Sequence, residues 1–543
     1  MPETERSVIN IIGAGLAGLS AALELGKAGI PCRLISAQTS ERAQSNLAEG
    51  GINACLDVMG EEDHVSEHFA DTVRGGCDLA DPNMVAGMCA AAPGIIRELS
   101  EYGVPFQREN GRMIQRNFGG QKKKRTAYVK SSTGKMITAT LIEAVRRYEC
   151  EGLTGRFSHH LFQDIILSEG KCVGVSVYDP YRGKLLRLPG EVIIACGGIN
   201  GFFSGKTTGT TANTGNAAAL LFSRGVQMAD LEMIQYHPTT VQIPGKRLLV
   251  SEAARGEGGR LFYRDNAGNP CYFMEEKYGA SGNLMPRDVV AREMLMCGRE
   301  VFLDLRALSA HIWEKRLSDL REELIHYLAL DPKSEPVPVS PGIHFFMGGI
   351  RVNEEHRSNI PGLYAAGECA CAYHGANRLG GNSLLGAIYG GKIAAESALK
   401  DSRSHAETVL PLSEDGVTDD GSGRVTDLSG LLFRSLPVLR TQEQMQEGLE
   451  ALLAEKAAAG KNGRLDRARL LLAEAILRSA LARKESRGAH SVREYPGRAE
   501  ALQRITTAQY INGAVETGFE ELPVLRDEWK TVLSEGFDGG SAI

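Results

Sequence analysis

The chain opens with a short apolar segment, Val8 to Ile12, that runs directly into Gly13-Ala14-Gly15-Leu16-Ala17-Gly18. Helical spacing follows from Leu19 to Ala28, and Pro31 to Ser36 is a second apolar segment. This order predicts a β-α-β unit whose first turn is the G-x-G-x-x-G sequence. Such glycines permit a tight turn and let a pyrophosphate approach the free N–H groups of the helix N-terminus. The chain is therefore predicted to begin with a Rossmann-like dinucleotide site, with contacts from Gly13, Ala14, Gly15, Ala17 and Gly18.

Further segments favour FAD over NAD as the nucleotide. Ser36 ends the second strand where Asp or Glu is usual, and its hydroxyl can still bond a ribose or phosphate. A second glycine loop spans residues 45–54, and a later strand ends in Gly367-Glu368, whose carboxylate suits a sugar hydroxyl. Residues 374–385 form a small-residue loop around Arg378, and loops from such distant sequence suit a long cofactor. The further FAD contacts expected are Ser36, Ser45, Gly50, Gly51, Glu368, Asn382, Ser383 and Leu384.

The chain has 543 residues, enough for several packed domains. Between about 240 and 350 charged helical stretches alternate with Gly- and Pro-rich loops, which indicates an inserted domain. Amphipathic spacing from Leu428 onward predicts helices, after a stretch rich in Ser, Asp and Gly. The predicted division is an α/β first domain (1–240 and 351–400), an inserted domain (241–350), a linker (401–424), a C-terminal helical domain (425–510) and a tail (511–543).

Composition excludes several functions. The net charge of −6 carries no basic excess, so no nucleic-acid partner is expected. Eleven scattered cysteines include no Cys-x-x-Cys, so neither a metal site nor an iron–sulfur cluster is predicted, and reduced thiols in the cytoplasm are expected. No run of about 18 apolar residues is present, so no direct membrane span is expected and any attachment would come through a partner.

Several ordered motifs resemble the flavoprotein subunit of succinate dehydrogenase and fumarate reductase, and its relative L-aspartate oxidase. Beside the glycine turn and residues 374–385, they are Ala48-Glu49-Gly50-Gly51, Phe118-Gly119-Gly120, Gln235-Tyr236-His237-Pro238-Thr239, 251–259, Pro286-Arg287-Asp288, 344–349 and 485–490. The resemblance covers roughly residues 5 to 500. It implies a Rossmann-like FAD-binding domain with an inserted α+β capping domain, a C-terminal helical domain, and a dicarboxylate held against the flavin ring between the first two domains.

The same resemblance implies the roles of eight side chains. Carboxylate ligands would be His237, Ser251, His344 and Arg378, with Phe118 packing nearby. Arg287 resembles the proton donor, and Glu252 and Arg255 resemble the relay that restores its proton. An arginine has a very high pKa, so it can act as an acid only if its proton is replaced at once. Taken singly, the histidines could be structural, and residues 485–490 could either serve the site or only dock the helical domain.

One position departs from the resemblance. The family's flavin-linking histidine stands six residues before Gly50, where this chain has Gln44. An amide cannot form that bond, so non-covalent FAD is predicted, a feature shared with L-aspartate oxidase. Residues 118–121, 346–349 and 378–383 look more like fumarate reductase. The expected activity is fumarate–succinate interconversion favouring reduction, with electrons from an iron–sulfur partner subunit. The alternatives are L-aspartate oxidase or a reductase of another unsaturated carboxylate.

Overall fold

The computed structural model describes residues 8–402, 427–458 and 463–535. Its strands are β1 (Ile9–Ile12), β2 (Cys32–Ser36), β3 (Ile52–Asn53), β4 (Arg108–Glu109), β5 (Arg112–Met113), β6 (Gln115–Arg116), β7 (Thr126–Ala127), β8 (Thr154–Ser158), β9 (Leu161–Ser168), β10 (Lys171–Asp179), β11 (Lys184–Pro189), β12 (Val192–Ile194), β13 (Met228–Ala229), β14 (Ile234–Ile243), β15 (Lys246–Leu249), β16 (Arg260–Arg264), β17 (Pro270–Cys271), β18 (Val301–Asp304), β19 (Val337–Phe346), β20 (Gly349–Arg351), β21 (Leu363–Ala365), β22 (Ala370–Cys371), β23 (Arg504–Ile511) and β24 (Ala514–Glu521).

Its helices are α1 (Leu16–Lys27), α2 (Val65–Gly75), α3 (Pro82–Glu101), α4 (Thr133–Cys150), α5 (Asn216–Ser223), α6 (Glu252–Gly256), α7 (Phe273–Tyr278), α8 (Arg287–Met296), α9 (Ala310–Lys315), α10 (Ser318–Leu328), α11 (Asn382–Ser402), α12 (Leu428–Ser435), α13 (Gln442–Ala458), α14 (Arg464–Ala482) and α15 (Asp527–Glu535).

A parallel sheet forms the centre of the first domain, in the order β21-β12-β1-β2-β8. Strand β1 is buried at every residue, as expected of a parallel strand covered on both faces. At its end Gly13 adopts φ +119°, and a Cβ there would lie 2.1 Å from the Ala195 carbonyl oxygen. Only glycine fits such a turn. The Rossmann-like opening predicted from the sequence is confirmed, and the turn places the N-terminus of α1 at the carboxyl edge of the sheet.

The inserted domain has a sheet and a core of its own. Its strands are in the order β15-β14-β19-β18-β16-β17, and every pairing in this sheet is antiparallel. Helices α6 to α10 lie in the same stretch of chain, and side chains such as Val250, Leu303 and Leu324 form a separate buried cluster. The sheet begins at Ile234 and ends at Phe346, whereas the predicted boundaries were 241 and 350. Strands β14 and β19 therefore carry His237 and His344 into the same sheet.

The C-terminal region contains the helical domain that the sequence predicted, and it differs in the segment that was predicted to be a tail. Helices α12 to α14 are followed by the hairpin β23–β24, which pairs with β13 of the first domain. The hairpin turns at Asn512 and Gly513, with φ of 51° and 83°. Asn-Gly is the preferred sequence for such a left-handed two-residue turn. Residues 514–521 and 527–535 are thus a strand and a helix rather than a tail.

Most of the predicted linker 401–424 and the last residues of the predicted tail lie outside the described residues. Within the described ranges, no helix is long and apolar enough to cross a membrane.

Candidate active site

A cavity of about 480 Å³ runs from the glycine turn to two buried arginines, Arg287 of the inserted domain and Arg378 of the first domain. Of the eight side chains with predicted catalytic or substrate roles, seven line it, and Arg255 lies behind Glu252. The predicted cofactor contacts that also line it are Gly13, Ala14, Gly15, Ala17, Ser36, Ser45, Gly50, Gly51, Glu368, Ser383 and Leu384. The fold therefore brings predicted residues from some 370 positions of sequence into the lining of one elongated cavity.

The glycine turn forms one end of this cavity. Gly15 precedes α1, so the first N–H groups of that helix point toward the cavity end and favour an anionic group. Ser45 closes over this end, because its Oγ accepts a hydrogen bond from the Leu16 N–H at 3.2 Å. Ser36 Oγ donates to the Gln38 carbonyl at 2.6 Å, which leaves its lone pairs facing the cavity. This donor set fits the pyrophosphate and ribose of FAD.

Two predicted cofactor residues do not line the cavity. Gly18 lies under the turn, where a Cβ would meet the Gly13 carbonyl oxygen at 1.8 Å, so its role is close packing of helix against strand. Asn382 is fully buried and bonds other side chains: its Oδ1 accepts from Asn53 Nδ2 at 2.7 Å and its Nδ2 donates to Thr72 Oγ1 at 3.0 Å. Both residues lie behind the loops that line the cavity.

Glu368 lies farther along the cavity wall. Its Oε1 accepts a hydrogen bond from the Phe346 N–H at 3.2 Å. Burial raises the pKa of this carboxyl to about 7, and the Phe346 N–H and Arg378 oppose the rise. A carboxyl of this kind can donate or accept a hydrogen bond to a cofactor hydroxyl at neutral pH.

Glu252 is held between two arginines. Its Oε2 accepts from Arg287 Nε at 2.9 Å and Nη2 at 2.7 Å, and its Oε1 accepts from Arg255 Nη2 at 3.3 Å. The Gly119 N–H adds a further bond to Oε1 at 3.1 Å. Burial raises the pKa of Glu252, but the two arginines outweigh it and hold the pKa below its usual value. The carboxylate is therefore ionised, as a proton carrier between the arginines requires.

Arg378 lines the cavity, and few hydrogen bonds satisfy its buried guanidinium group. Its guanidinium stacks 4.4 Å from the Phe345 ring, its Nη1 donates to the Leu379 carbonyl at 3.3 Å, and its Nε is buried without a partner among the described residues. Burial and the nearby charge of Arg287 lower the pKa of Arg378. An anionic ligand would supply the missing partner.

Two histidines face each other in the same part of the cavity, with ring centroids 5.1 Å apart. His344 Nδ1 lies 2.7 Å from Thr208 Oγ1, and His237 Nδ1 lies 3.1 Å from the Thr239 carbonyl oxygen. That carbonyl can only accept, so the neutral His237 ring carries its proton on Nδ1. Burial and the neighbouring arginines lower the pKa of both histidines. The site therefore holds neutral rings beside surplus positive charge.

Other lining residues carry no motif that singles them out in the sequence. Thr39 and Arg42 line the cavity. In the sequence, only their position shortly after the second strand indicates that they could do so. Arg464 and Leu465 come from the start of α14 in the C-terminal region, and Arg464 Nη2 pairs with Asp164 Oδ2 at 2.6 Å. The remaining lining residues that sequence reasoning missed include Gln38, Gln163 and Cys196. Glu49 also lines the cavity; it stands in the motif Ala48-Glu49-Gly50-Gly51 but was given no role of its own.

Residues 485–490 lie outside the cavity lining. Glu485 accepts hydrogen bonds from Arg483 Nη1 at 2.9 Å and from Arg487 Nε at 2.8 Å, and Arg487 Nη1 donates to the Cys77 carbonyl at 2.8 Å. His490 Nε2 contacts the Arg483 carbonyl at 2.9 Å. These contacts join the C-terminal region to the first domain, which favours the docking interpretation of this motif.

The fold and the cavity define an FAD-dependent oxidoreductase. A family model described as an FAD binding domain matches residues 9–384, and one described as the fumarate reductase flavoprotein C-terminus matches 464–530. A succinate dehydrogenase flavoprotein subunit of Bacillus subtilis is 36% identical over 91% of this chain and 92% of its own. One subunit of the fumarate reductase (CoM/CoB) of Methanothermobacter marburgensis is 33% identical over 90% of this chain and 94% of its own. A structure of E. coli quinol fumarate reductase superposes with a TM-score of 0.84 at 28% identity, covering 96% of this chain and 97% of that one.

The chain therefore belongs to the family of succinate dehydrogenase and fumarate reductase flavoprotein subunits. The relatives named above do not favour the alternative of an L-aspartate oxidase.

Proposed function

We propose that this protein interconverts fumarate and succinate and favours fumarate reduction. The observation that carries this proposal is the excess of buried positive charge at the inner end of the cavity. Arg255, Arg287 and Arg378 face one carboxylate that is held ionised, Glu252. Glu368, whose pKa of about 7 leaves it partly protonated, lies near Arg378, so more than one positive charge lacks a partner. A dianionic substrate supplies two negative charges, and guanidinium groups bind carboxylates with charge-assisted hydrogen bonds.

The substrate's carboxylates would be held by Arg378 and by the two histidines with Ser251. His237 can donate from Nε2 only as an imidazolium, because its neutral form keeps the proton on Nδ1. A bound dianion offsets the arginine charges that lower the pKa of His237, so the ring can take up a proton as substrate binds. Phe118 lines the same space and excludes water from the substrate's carbon atoms.

Bound FAD would supply or accept a hydride at one substrate carbon. Arg287 would give a proton to the neighbouring carbon, since its guanidinium lines the cavity and is bonded directly to Glu252. Glu252 would return a proton to Arg287, and Arg255 on its other oxygen would replenish Glu252. Direct hydrogen bonds between these groups support such a relay, because proton transfer needs donor and acceptor within hydrogen-bond reach.

FAD is proposed to bind without a covalent bond. Gln44 lines the cavity, and its Oε1 accepts a hydrogen bond from the Thr210 N–H at 2.6 Å. A carboxamide has no nucleophilic ring nitrogen with which to attach the flavin. After acid precipitation the yellow colour should pass entirely into the supernatant. Colour retained on the washed precipitate would contradict non-covalent binding.

Electrons are proposed to come from an iron–sulfur partner subunit. All eleven cysteines are free, and no group of three or more metal-binding side chains occurs in the described residues. The relatives are themselves named as subunits. An external donor is consistent with both observations.

The activity can be tested on the purified, FAD-loaded chain. Fumarate reduction by a reduced viologen dye should be measured beside aspartate oxidation with the same preparation. Fumarate turnover well above aspartate turnover is expected, because the carboxylate held ionised in this part of the cavity, Glu252, is already bonded to two arginines and is not available to an ammonium group. Comparable aspartate turnover would overturn the proposal, and activity toward neither compound would favour another unsaturated carboxylate.

A further inference from the structure

A loop of the first domain runs beside strand β19 and carries a threonine, Thr208, that has no part in the reaction proposed above. The Thr208 N–H donates to the Ile343 carbonyl at 2.9 Å, and Thr207 forms a parallel bridge with Ile343. Within the loop, Thr207 Oγ1 accepts from the Gly209 N–H at 3.0 Å. These bonds fix the backbone of Thr208 against the strand that carries His344.

The hydroxyl of Thr208 has two neighbours. Its Oγ1 lies 2.7 Å from His344 Nδ1 and 3.5 Å from the Ile343 carbonyl oxygen, which already accepts the Thr208 N–H. Hydroxyl donors usually lie about 2.5–3.0 Å from their acceptors, so only the contact with Nδ1 is a good hydrogen bond. If Nδ1 were the donor in it, the hydroxyl hydrogen would be left with the 3.5 Å contact. The arrangement that places the hydrogen well has the hydroxyl donate to Nδ1.

This bond decides which nitrogen of His344 holds the ring hydrogen. Burial and the charges of Arg287 and Arg378 lower the pKa of His344, so the ring is neutral at pH 7. A neutral imidazole has one donor and one acceptor nitrogen, and the bond at one nitrogen sets the role of the other. His344 lines the cavity, and with Nδ1 engaged by Thr208 its remaining nitrogen is Nε2.

We propose that Thr208 is a positioning residue that acts through His344. Its hydroxyl donates to Nδ1 and thereby holds the ring hydrogen on Nε2, where the neutral ring donates it to a carboxylate of the substrate. The inference rests on the proposed function, since it requires a dicarboxylate beside His344.

The two histidines of the cavity are thereby given opposite tautomers. His237 Nδ1 faces the Thr239 carbonyl, which can only accept, so its ring hydrogen stays on Nδ1. His344 Nδ1 faces a hydroxyl, which can donate. His344 therefore binds a carboxylate as a neutral ring, whereas His237 must first take up a proton. Loss of the Thr208 hydroxyl would leave the His344 hydrogen free to move to Nδ1, and dicarboxylate affinity should fall.

The first test reads the tautomer directly, on the FAD-loaded chain labelled with nitrogen-15 histidine. In nitrogen NMR a ring nitrogen that carries hydrogen is well separated from one with a lone pair, and couplings to the ring C–H hydrogens distinguish Nδ1 from Nε2. The signals that disappear in H344A belong to His344. At neutral pH the wild type should show hydrogen on Nε2 of His344 and a lone pair on Nδ1. Hydrogen on Nδ1, or on both nitrogens, would overturn the inference.

The second test measures dicarboxylate binding to the same FAD-loaded chain. The ligand is malonate, a dicarboxylate that cannot be dehydrogenated to an alkene because it has a single carbon between its carboxylates, and its Kd is obtained from the change in flavin absorbance. Thr208→Val keeps the shape of the side chain without the hydroxyl and should raise the Kd about tenfold, the effect of one hydrogen bond to a charged group. Thr208→Ser, which keeps the hydroxyl, should stay within about twofold of the wild type.

Two comparisons separate this role from packing of the loop. Thr211→Val changes an exposed threonine of the same loop and should leave the Kd unchanged. In an H344A background Thr208→Val should change the Kd much less than in the wild type, because the histidine is the link.

A Thr208→Val variant that binds malonate as tightly as the wild type would overturn the inference, and so would a Thr208→Ser variant that binds as weakly as Thr208→Val. A wild type that binds FAD but shows no malonate-induced change at pH 7 would instead contradict the proposed function, while the NMR spectrum would still decide the tautomer of His344.

Discussion

The molecule buries two clusters of arginine and glutamate that differ in how completely their charges are paired. The active-site cluster consists of Glu252, Arg255, Arg287 and Arg378. The docking cluster consists of Glu232, Arg483, Glu485 and Arg487. The first has three cations to one carboxylate. The second has two of each, and the buried Asp230 lies a further 3.6 Å from Arg483.

Every donor of the docking cluster has a partner. Arg483 bonds Glu232, Glu485, Thr506 and two backbone carbonyls, and no nitrogen of Arg483 or Arg487 is left unbonded in the described structure. In the active-site cluster Arg255 Nε and Arg378 Nε are buried without partners. One acceptor of the docking cluster, Glu232 Oε2, is left without a hydrogen bond among the described residues. A network whose cations are all bonded holds two parts of the chain together, whereas one with incompletely bonded cations retains affinity for an anion.

The largest expected effect comes from removing Arg287, the proposed proton donor of the active-site cluster. Arg287→Ala should reduce fumarate reduction about 10³-fold, because the proton must then come from water. FAD content should be retained, since Arg287 lies at the substrate end of the cavity. Viologen-linked turnover measures the loss. Arg292→Ala, on the same helix but outside the cavity lining, is the matched control. A near-wild-type rate in Arg287→Ala would exclude its role as proton donor.

Breaking the docking cluster should affect stability. Arg487→Ala removes two bonds to Glu485 and one to the Cys77 carbonyl, and should lower the free energy of unfolding by about 3–5 kcal/mol. Urea unfolding measures the change, and Arg498→Ala, which removes an exposed pair with Asp78, should cost at most about 1 kcal/mol. The malonate Kd of the folded variant should stay close to the wild-type value. A selective loss of malonate affinity would place residues 485–490 in the substrate site.

The two clusters also show what the sequence can predict. The Rossmann-like opening follows from local pattern, because Gly13 and the apolar segment before it dictate the turn directly. The role of Arg287 came only from the family motifs, since its partner Glu252 is 35 residues away in sequence. Nothing local in Pro286-Arg287-Asp288 distinguishes a proton donor from a helix start.

The failures of prediction have physical reasons as well. Asn382 and Gly18 stand within cofactor motifs, yet their contacts are with the loops behind the cavity. The Asn512-Gly513 pair is a sequence signal for a hairpin turn. A tail was predicted there instead, because the preceding segments have a helical pattern.

The smallest expected effect is a change in the free energy of unfolding. Its sign should differ between the two clusters. Arg378→Met replaces an incompletely bonded buried cation by a side chain that still covers the Phe345 ring. Without ligand, the FAD-loaded variant should be as stable as the wild type or up to about 2 kcal/mol more stable, since an unpaired charge no longer loses its hydration. Malonate should stabilise the wild type and leave the variant nearly unchanged. Urea unfolding with and without malonate measures both effects. If Arg378→Met were as destabilising as Arg487→Ala, Arg378 would be a structural cation like those of the docking cluster. Its charge would then serve the stability of the fold rather than the binding of a substrate.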